Sequence, residues 1–124
     1  MSMYAYDAGS RYLVKADNLD AAYRWLKENG EYAHRVGIVR DCIALSADGY
    51  EDMFCGNVSC HIGDVIKEFM ELFCEPGSFA CHHIDEFDEY CLYWKDDEGV
   101  HDECQTVGNP FAEKIMELEG KVEA

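Results

Sequence analysis

Residues 61–74 read HIGDVIKEFMELFC, and this segment has the clearest periodicity in the chain. Apolar residues recur every three or four positions, which places them on one face of a helix, with charged residues on the opposite face. Pro76 and Gly77 follow directly and are typical of a helix end. The sequence therefore predicts an amphipathic helix over residues 61–74. Its apolar stripe consists of Ile62, Val65, Ile66, Phe69, Met70 and Phe73.

A second amphipathic helix is predicted over residues 18–29, upstream of the first. Its apolar positions follow the same spacing, and Gly30 is typical of a helix end. Residues 11–16, RYLVKA, alternate between apolar and polar side chains and predict a strand before this helix. Residues 34–40 predict a strand after it. The apolar positions of the helix are Leu19, Ala22, Tyr23 and Leu26.

Residues 42–55, CIALSADGYEDMFC, contain an Asp-Gly pair at residues 48–49 that predicts a hairpin, because both positions of such a tight turn need a positive φ. A two-residue turn there would place Ile43 opposite Phe54. The alternative is a helix over residues 35–46, since the apolar residues of that segment also fit a helical period. We prefer the strands.

The second half of the chain predicts three strands and a last helix. Residues 79–84 and 89–95 are extended, and a turn at residues 97–99 leads back through a strand over residues 100–107. Residues 110–121 form the closing helix.

The element order β-α-β-β-α-β, followed by one more strand and helix, matches the ferredoxin-like arrangement in its first six elements. We therefore predict a single α+β domain over residues 1–124, with a four-stranded antiparallel sheet and both amphipathic helices on one of its faces. A C-terminal hairpin strand and helix would extend it. This fold serves many unrelated functions, so it predicts no activity.

Charge is the most unusual property of the composition. The chain has 26 acidic and 10 basic residues, a net charge of −16, and residues 48–124 carry twenty of the acids but only four of the bases. Such a surface repels nucleic acid and anionic membranes, and no apolar run approaches the roughly 20 residues of a membrane span. Direct binding to nucleic acid or membrane is therefore not expected. The acids form either a solubilising surface or one that meets a basic partner.

Seven cysteines without a visible secretory signal favour a reducing compartment, and we expect a cytoplasmic protein. An odd number argues against a complete disulfide framework. We expect the cysteines to be free and mostly buried, as small apolar residues. They are Cys42, Cys55, Cys60, Cys74, Cys81, Cys91 and Cys104.

Two groups of cysteine and histidine residues could supply zinc ligands. Cys55, Cys60 and His61 form one group, and His101 and Cys104 form the other. Four such ligands complete a tetrahedral site, but neither group has the favoured C-x-x-C spacing. Cys60, beside His61 and near a helix start, is also a candidate thiol nucleophile. A zinc-binding or thiol-dependent enzyme or sensor is the alternative function, while the preferred interpretation has no metal and no cofactor.

The acidic stretch from residue 85 to residue 103 is the candidate partner-binding surface. Aromatic residues interrupt it, so Tyr93 or Trp94 could anchor a partner while the carboxylates steer it. Every second residue of a strand lies on the same face at about 6.6 Å, so two neighbouring strands could present carboxylates at a spacing similar to that of backbone phosphates. The candidate residues are Asp85, Glu86, Asp88, Glu89, Tyr93, Trp94, Asp96, Asp97, Glu98, Asp102 and Glu103.

These features favour a non-enzymatic interaction protein that binds a basic protein surface, such as that of a nucleic-acid-binding protein. No glycine-rich phosphate motif and no nucleophile-elbow motif occurs. The size and charge are similar to those of small acidic inhibitors that phages and plasmids direct against defence enzymes, such as anti-CRISPR and anti-restriction proteins, and of immunity proteins for basic nuclease toxins. A housekeeping domain whose acidity only adds solubility is a further alternative, and the sequence leaves the oligomeric state open.

Overall fold

The computed structural model describes residues 2–29, 35–39, 42–46, 54–106 and 112–123, and it confirms the predicted α+β class. Its strands are β1 (Ser2–Lys15), β2 (Arg35–Val39), β3 (Cys42–Ser46), β4 (Gly56–Ser59), β5 (Phe79–Ile84), β6 (Glu89–Asp96) and β7 (Gly99–Gln105). Its helices are α1 (Leu19–Asn29), α2 (Ile62–Phe73) and α3 (Ala112–Glu123), with short 3₁₀ turns at Ala16–Asn18 and Asp85–Phe87. Among the described residues, no helix is long and apolar enough to cross a membrane.

The sheet is built around β1, which is far longer than the strand predicted over residues 11–16. All pairings are antiparallel, in the order β2-β3-β1-β5-β6-β7, and β4 also pairs with β1. On one side of β1, residues 2–5 pair with β4 and residues 12–15 pair with β3. On its other side, residues 5–11 pair with β5. One strand therefore joins the two halves of the sheet.

Two predictions about the sheet are wrong. The exact ferredoxin-like order is not matched, because the described part of the sheet has seven strands rather than the predicted four and one added hairpin strand, and β1 pairs with β4 as well as with β3. The hairpin predicted over residues 42–55 is not formed either, since Ile43 of β3 lies opposite Ile38 of β2, and Phe54 lies in a turn. The proposed turn at residues 48–49 lies outside the described residues. Because β2 and β3 are strands, the alternative helix is excluded.

Two hydrophobic cores lie on opposite faces of the sheet. Helices α1 and α2 pack on one face, where Phe69 of α2 is completely buried and its ring centroid lies 5.5 Å from that of Trp25 of α1. On the other face, Ile115 and Leu118 of α3 pack against Leu92 and its neighbours. Since successive strand residues point to opposite faces, β5 and β6 supply side chains to both cores.

A buried polar junction ties the end of α2 to the sheet. The buried Ser78 hydroxyl accepts a hydrogen bond from the Leu13 amide at 3.0 Å and donates one to the Glu75 carbonyl at 2.8 Å. The Lys95 ammonium donates to carbonyl groups at the C-terminal end of α2, where the helix dipole favours a cation. Its acceptors are Met70 at 3.1 Å, Glu71 at 3.3 Å and Cys74 at 2.7 Å.

We expect Lys95→Met to lower the free energy of unfolding by about 2 kcal/mol, because several charge-assisted hydrogen bonds to the end of α2 are lost while the apolar stem is kept. Urea unfolding followed by circular dichroism measures the change. Lys67→Met is the matched control, since Lys67 makes exposed ion pairs at 3.7 and 3.9 Å, which typically contribute about 0–1 kcal/mol. Equal losses in both variants would show that Lys95 does not stabilise the end of α2.

Candidate functional site

The acidic stretch of residues 85–103, called here the acidic hairpin, consists of β6, β7 and the turns at their ends. The connecting turn lies at residues 97–98, and Gly99 follows it with a φ of 130°, so the predicted reversal of the chain is confirmed. In the described sheet β7 is an edge strand, and residues 102–105 are exposed. Charged side chains on such an edge oppose the addition of a further strand from another molecule.

The carboxylates of the acidic hairpin divide into two clusters at opposite ends of β6. At about 3.3 Å per residue, the length of β6 separates these ends by about 23 Å. The structure therefore does not bring all the predicted residues together. The β5–β6 cluster consists of Asp85, Glu86, Asp88 and Glu89, and the β6–β7 cluster consists of Asp96, Asp97 and Glu98.

Asp102 and Glu103 lie between the two clusters but point to opposite faces of the sheet. Asp102 is opposite Tyr93 on the α2 side, and its carboxylate lies 3.7 Å from the Lys67 ammonium. Glu103 is opposite Leu92 on the α3 side. The expected single-face array of carboxylates at phosphate-like spacing is therefore not formed by these residues.

Few basic groups neutralise the acidic hairpin. Lys95, the base within the stretch, is directed to the end of α2. Lys67 pairs with Asp102, and the Lys114 ammonium lies 4.9 Å from the centre of the Trp94 ring. Most of the remaining acids of the hairpin are exposed to solvent. Within the described residues, no ion pair is formed by Asp85, Glu86, Asp97, Glu98 or Glu103.

Asp96 organises the turn between β6 and β7. Its Oδ1 accepts a hydrogen bond from the Glu98 amide at 2.9 Å and lies 2.8 Å from His101 Nε2. The His101 ring stacks on Trp94, with ring centroids 5.3 Å apart. Hydrogen bonding to His101, and then to the Glu98 amide, holds the pKa of Asp96 below its ordinary value of 3.8. The ionised Asp96 carboxylate therefore stabilises this turn.

Asp96→Asn should make the protein less sensitive to acid. Because the pKa of Asp96 is lower in the folded than in the unfolded state, its stabilising contribution is present above the unfolded value of 3.8 and is lost as the pH falls through the folded value. The unfolding free energy of the variant should therefore depend less steeply on pH below about pH 4. Denaturant unfolding at a series of acidic pH values measures the slope, with Asp97→Asn as the control. A wild-type slope in Asp96→Asn would contradict the role of this carboxylate.

Neither predicted aromatic anchor is freely exposed. Tyr93 is only 6% exposed, which corrects the prediction that it could anchor a partner. It faces α2, where a Cβ atom added to Gly63 would lie 2.9 Å from its hydroxyl, and burial raises the pKa of its phenol to about 12. Trp94 is half-buried between the His101 ring and the Lys114 ammonium. Both residues pack the hairpin against the helices.

Exposed aromatic residues lie instead near the β5–β6 cluster. Phe87 is 58% exposed and Tyr6 is 44% exposed. Tyr6 of β1 is opposite His83 of β5, and the His83 ring stacks on Tyr90 of β6 with ring centroids 4.4 Å apart. These neighbouring rings were not predicted, because the predicted first strand began at residue 11, although the alternation of Tyr4 and Tyr6 is typical of a strand.

The residues predicted as zinc ligands do not converge. Cys55 is buried, whereas Cys60 and His61 are exposed. His101 is bonded to Asp96 through Nε2, and Cys104 lies on the edge strand β7. Among the described residues, the only group of three or more potential ligand atoms within 4.8 Å of one another comes from Glu89, Cys91 and Cys104.

A disulfide joins Cys91 of β6 to Cys104 of β7, so these two cysteines depart from the expectation of free cysteines. The two residues lie directly opposite each other, with Cα atoms 4.2 Å apart. Burial raises the pKa of both Cys74 and Cys81 to about 12, so neither is suited to act as a nucleophile. The cysteines outside the disulfide are Cys42, Cys55, Cys60, Cys74 and Cys81.

In the native protein at about pH 8, iodoacetamide should modify Cys60 first and leave Cys74 and Cys81 unmodified, because only an accessible thiolate reacts. Peptide mass spectrometry at increasing reaction times gives the order. All three should react after unfolding, and Cys60→Ser should remove the fast phase. Modification of Cys74 or Cys81 as fast as that of Cys60 would show that the core opens readily.

Comparison with known proteins identifies no relative, since no family model, no curated protein and no solved structure matches the chain.

Proposed function

We propose that this protein is a non-enzymatic acidic interaction protein that binds a basic surface on another protein. The observation that carries the proposal is the lack of ion pairs at five exposed acids of the acidic hairpin in the described part of the chain. Asp85, Glu86, Asp97, Glu98 and Glu103 form no ion pair with any other residue in the described part of the chain. The bases that could neutralise them contact a helix end, an aromatic ring or Asp102 instead.

Unpaired carboxylates at this density are suited to electrostatic steering. They create a negative potential that raises the association rate with a positively charged partner and repels nucleic acid. The β6–β7 turn supports such a role, because the Asp96 carboxylate, through its contacts with the Glu98 amide and His101, fixes the backbone that carries Asp97 and Glu98. A carboxylate held in place loses less conformational entropy on binding than a mobile one.

The β5–β6 cluster offers apolar contact as well as charge. Phe87 is exposed beside Asp85, Glu86 and Asp88 in the chain, and the His83 ring, 2.8 Å from the Asp88 carboxylate, stacks on Tyr90. Arginine and lysine side chains bind both to carboxylates and to aromatic faces. This end of the acidic hairpin therefore replaces Tyr93 as the proposed anchor region.

An inhibitor of a nucleic-acid-handling enzyme is the specific role that we favour within this class. The target surfaces of such enzymes are basic because they bind phosphates. The net charge of −16 on 124 residues and the two acidic clusters about 23 Å apart along β6 support a partner with an extended basic surface. The same properties suit an anti-CRISPR or anti-restriction protein, or an immunity protein for a basic nuclease.

Charge reversal of three exposed acids of the hairpin should abolish most of this binding. The hairpin variant carries Asp97→Lys, Glu98→Lys and Glu103→Lys, and the helix variant carries Glu28→Lys, Glu68→Lys and Glu119→Lys, which are exposed acids on α1, α2 and α3. Immobilised wild type and both variants are incubated with native lysate at low salt and eluted with salt. A purified captured protein then gives association rates at several salt concentrations.

We expect the hairpin variant to bind about tenfold more slowly, or worse, while the helix variant, which has the same net charge, stays close to wild type. The difference should shrink as salt screens the charges. Circular dichroism confirms that both variants are folded. Equal binding by the two variants would show that Asp97, Glu98 and Glu103 do not steer the partner, which would contradict the proposed role of the β6–β7 end of the acidic hairpin.

A further inference from the structure

Glu89, Cys91 and Cys104 form a compact cluster on the α2 side of the acidic hairpin. One carboxylate oxygen and the two sulfur atoms lie within 4.8 Å of one another. The pairing of β6 with β7 places the two cysteines face to face, and Glu89 shares their face because it lies two residues before Cys91. Cys91 is buried and Cys104 is exposed, so one side of the cluster faces the protein core and the other faces solvent.

The spacing of these atoms fits a small metal ion. The Cys91 sulfur lies 3.5 Å from Glu89 Oε1. Tetrahedral zinc, with Zn–S bonds of about 2.3 Å and Zn–O bonds of about 2.0 Å, holds a sulfur and an oxygen ligand about 3.5 Å apart and two sulfur ligands about 3.8 Å apart. The two sulfur atoms have to move apart, which reduction of the disulfide permits.

We propose that, in the reduced protein, Cys91, Cys104 and Glu89 bind one Zn²⁺ ion, with a solvent water on the open side as fourth ligand. Thiolates select zinc over the harder ions Ca²⁺ and Mg²⁺. The surrounding negative charge, part of a net charge of −16, favours a cation at this position. Metal binding and the disulfide exclude each other, because both use the same two sulfur atoms.

The two states interconvert by balanced steps. On binding, Zn²⁺ replaces the protons of the two thiols, and two protons are released to solvent. Oxidation by a small disulfide such as oxidised glutathione takes two electrons from the thiolates, forms the Cys91–Cys104 bond and releases Zn²⁺. The oxidant accepts the two electrons and two protons and leaves as two glutathione thiols. Glu89 also belongs to the β5–β6 cluster, but zinc binding does not require the proposed partner-binding role, and the charge-reversal variants that test that role leave Glu89, Cys91 and Cys104 unchanged.

Cobalt titration of the full-length protein tests the site, because Co²⁺ replaces Zn²⁺ and gives an intense thiolate-to-metal absorption band. The protein is reduced, freed of reductant under anaerobic conditions and titrated with Co²⁺, and Zn²⁺ is then added to displace it. The same titration is run on the oxidised protein, on Glu89→Gln and on Cys104→Ser. Cys60→Ser is the matched control, since Cys60 is an exposed cysteine outside the cluster.

We expect the reduced wild type and Cys60→Ser to bind one Co²⁺ with the thiolate band, and the oxidised protein to show none. Cys104→Ser should lose most of the band, and Glu89→Gln should bind Co²⁺ about tenfold more weakly or worse, since even partners outside the ligand set are typically worth 10–100-fold in metal affinity.

A reduced wild type without the band would overturn the proposal. So would a full-strength band in Cys104→Ser or its loss in Cys60→Ser. The comparison of oxidised with reduced wild type needs no variant and so does not depend on how a variant folds.

Discussion

The pairing of β1 on both of its sides is the constraint on which the rest of the structure depends. This strand of 14 residues holds β4 and β3 on one side and β5 on the other, so β2-β3 and β5-β6-β7 form one sheet only through it. A bulge between Asp7 and Gly9 shifts the register, and the Gly9 amide donates to the Asp7 carboxylate at 2.9 Å. Gly9 has a φ of 135°, and a Cβ atom there would lie 3.4 Å from Ile115 of α3. The bulge therefore also sets how closely α3 approaches.

The use of the few basic side chains follows from this architecture. With helices on both faces, the Lys95 side chain of β6 reaches the end of α2, and the Lys114 side chain of α3 lies over the Trp94 ring. Their apolar stems pack while their charges contact carbonyl groups or ring faces. Among the described residues, neither base forms an ion pair with the acids of the hairpin turns. Asp85 and Glu86 at one end of β6, and Asp97 and Glu98 at the other, are therefore exposed carboxylates without an ion pair in the described part of the chain.

The candidate site shows which kinds of contact a sequence can predict. The reversal of the chain at residues 97–99 is local and was predicted, but the structure makes the turn one residue shorter than predicted. This two-residue length sets Cys91 opposite Cys104, whereas a three-residue turn would have set Cys91 opposite Gln105, so the disulfide did not follow from the predicted hairpin. The burial of Tyr93 could not be predicted, because it depends on Gly63 of a helix far away in the chain. The neighbouring rings of Tyr6, His83 and Tyr90 could not be predicted either, because they meet only through the pairing of β1 with β5 and of β5 with β6.

The sequence by itself determined the α+β class, the two amphipathic stripes, the closing hairpin and the concentration of acids in it. These are local properties, set by side-chain period, turn chemistry and charge along consecutive residues. Only the tertiary structure decided that β3 pairs with β2 and β1 rather than with residues near Phe54, and that the acids form two separate clusters. It also decided which of the aromatic residues are exposed. The physical reason is that strand pairing and burial join residues distant in the chain, and several pairings satisfy the same local pattern.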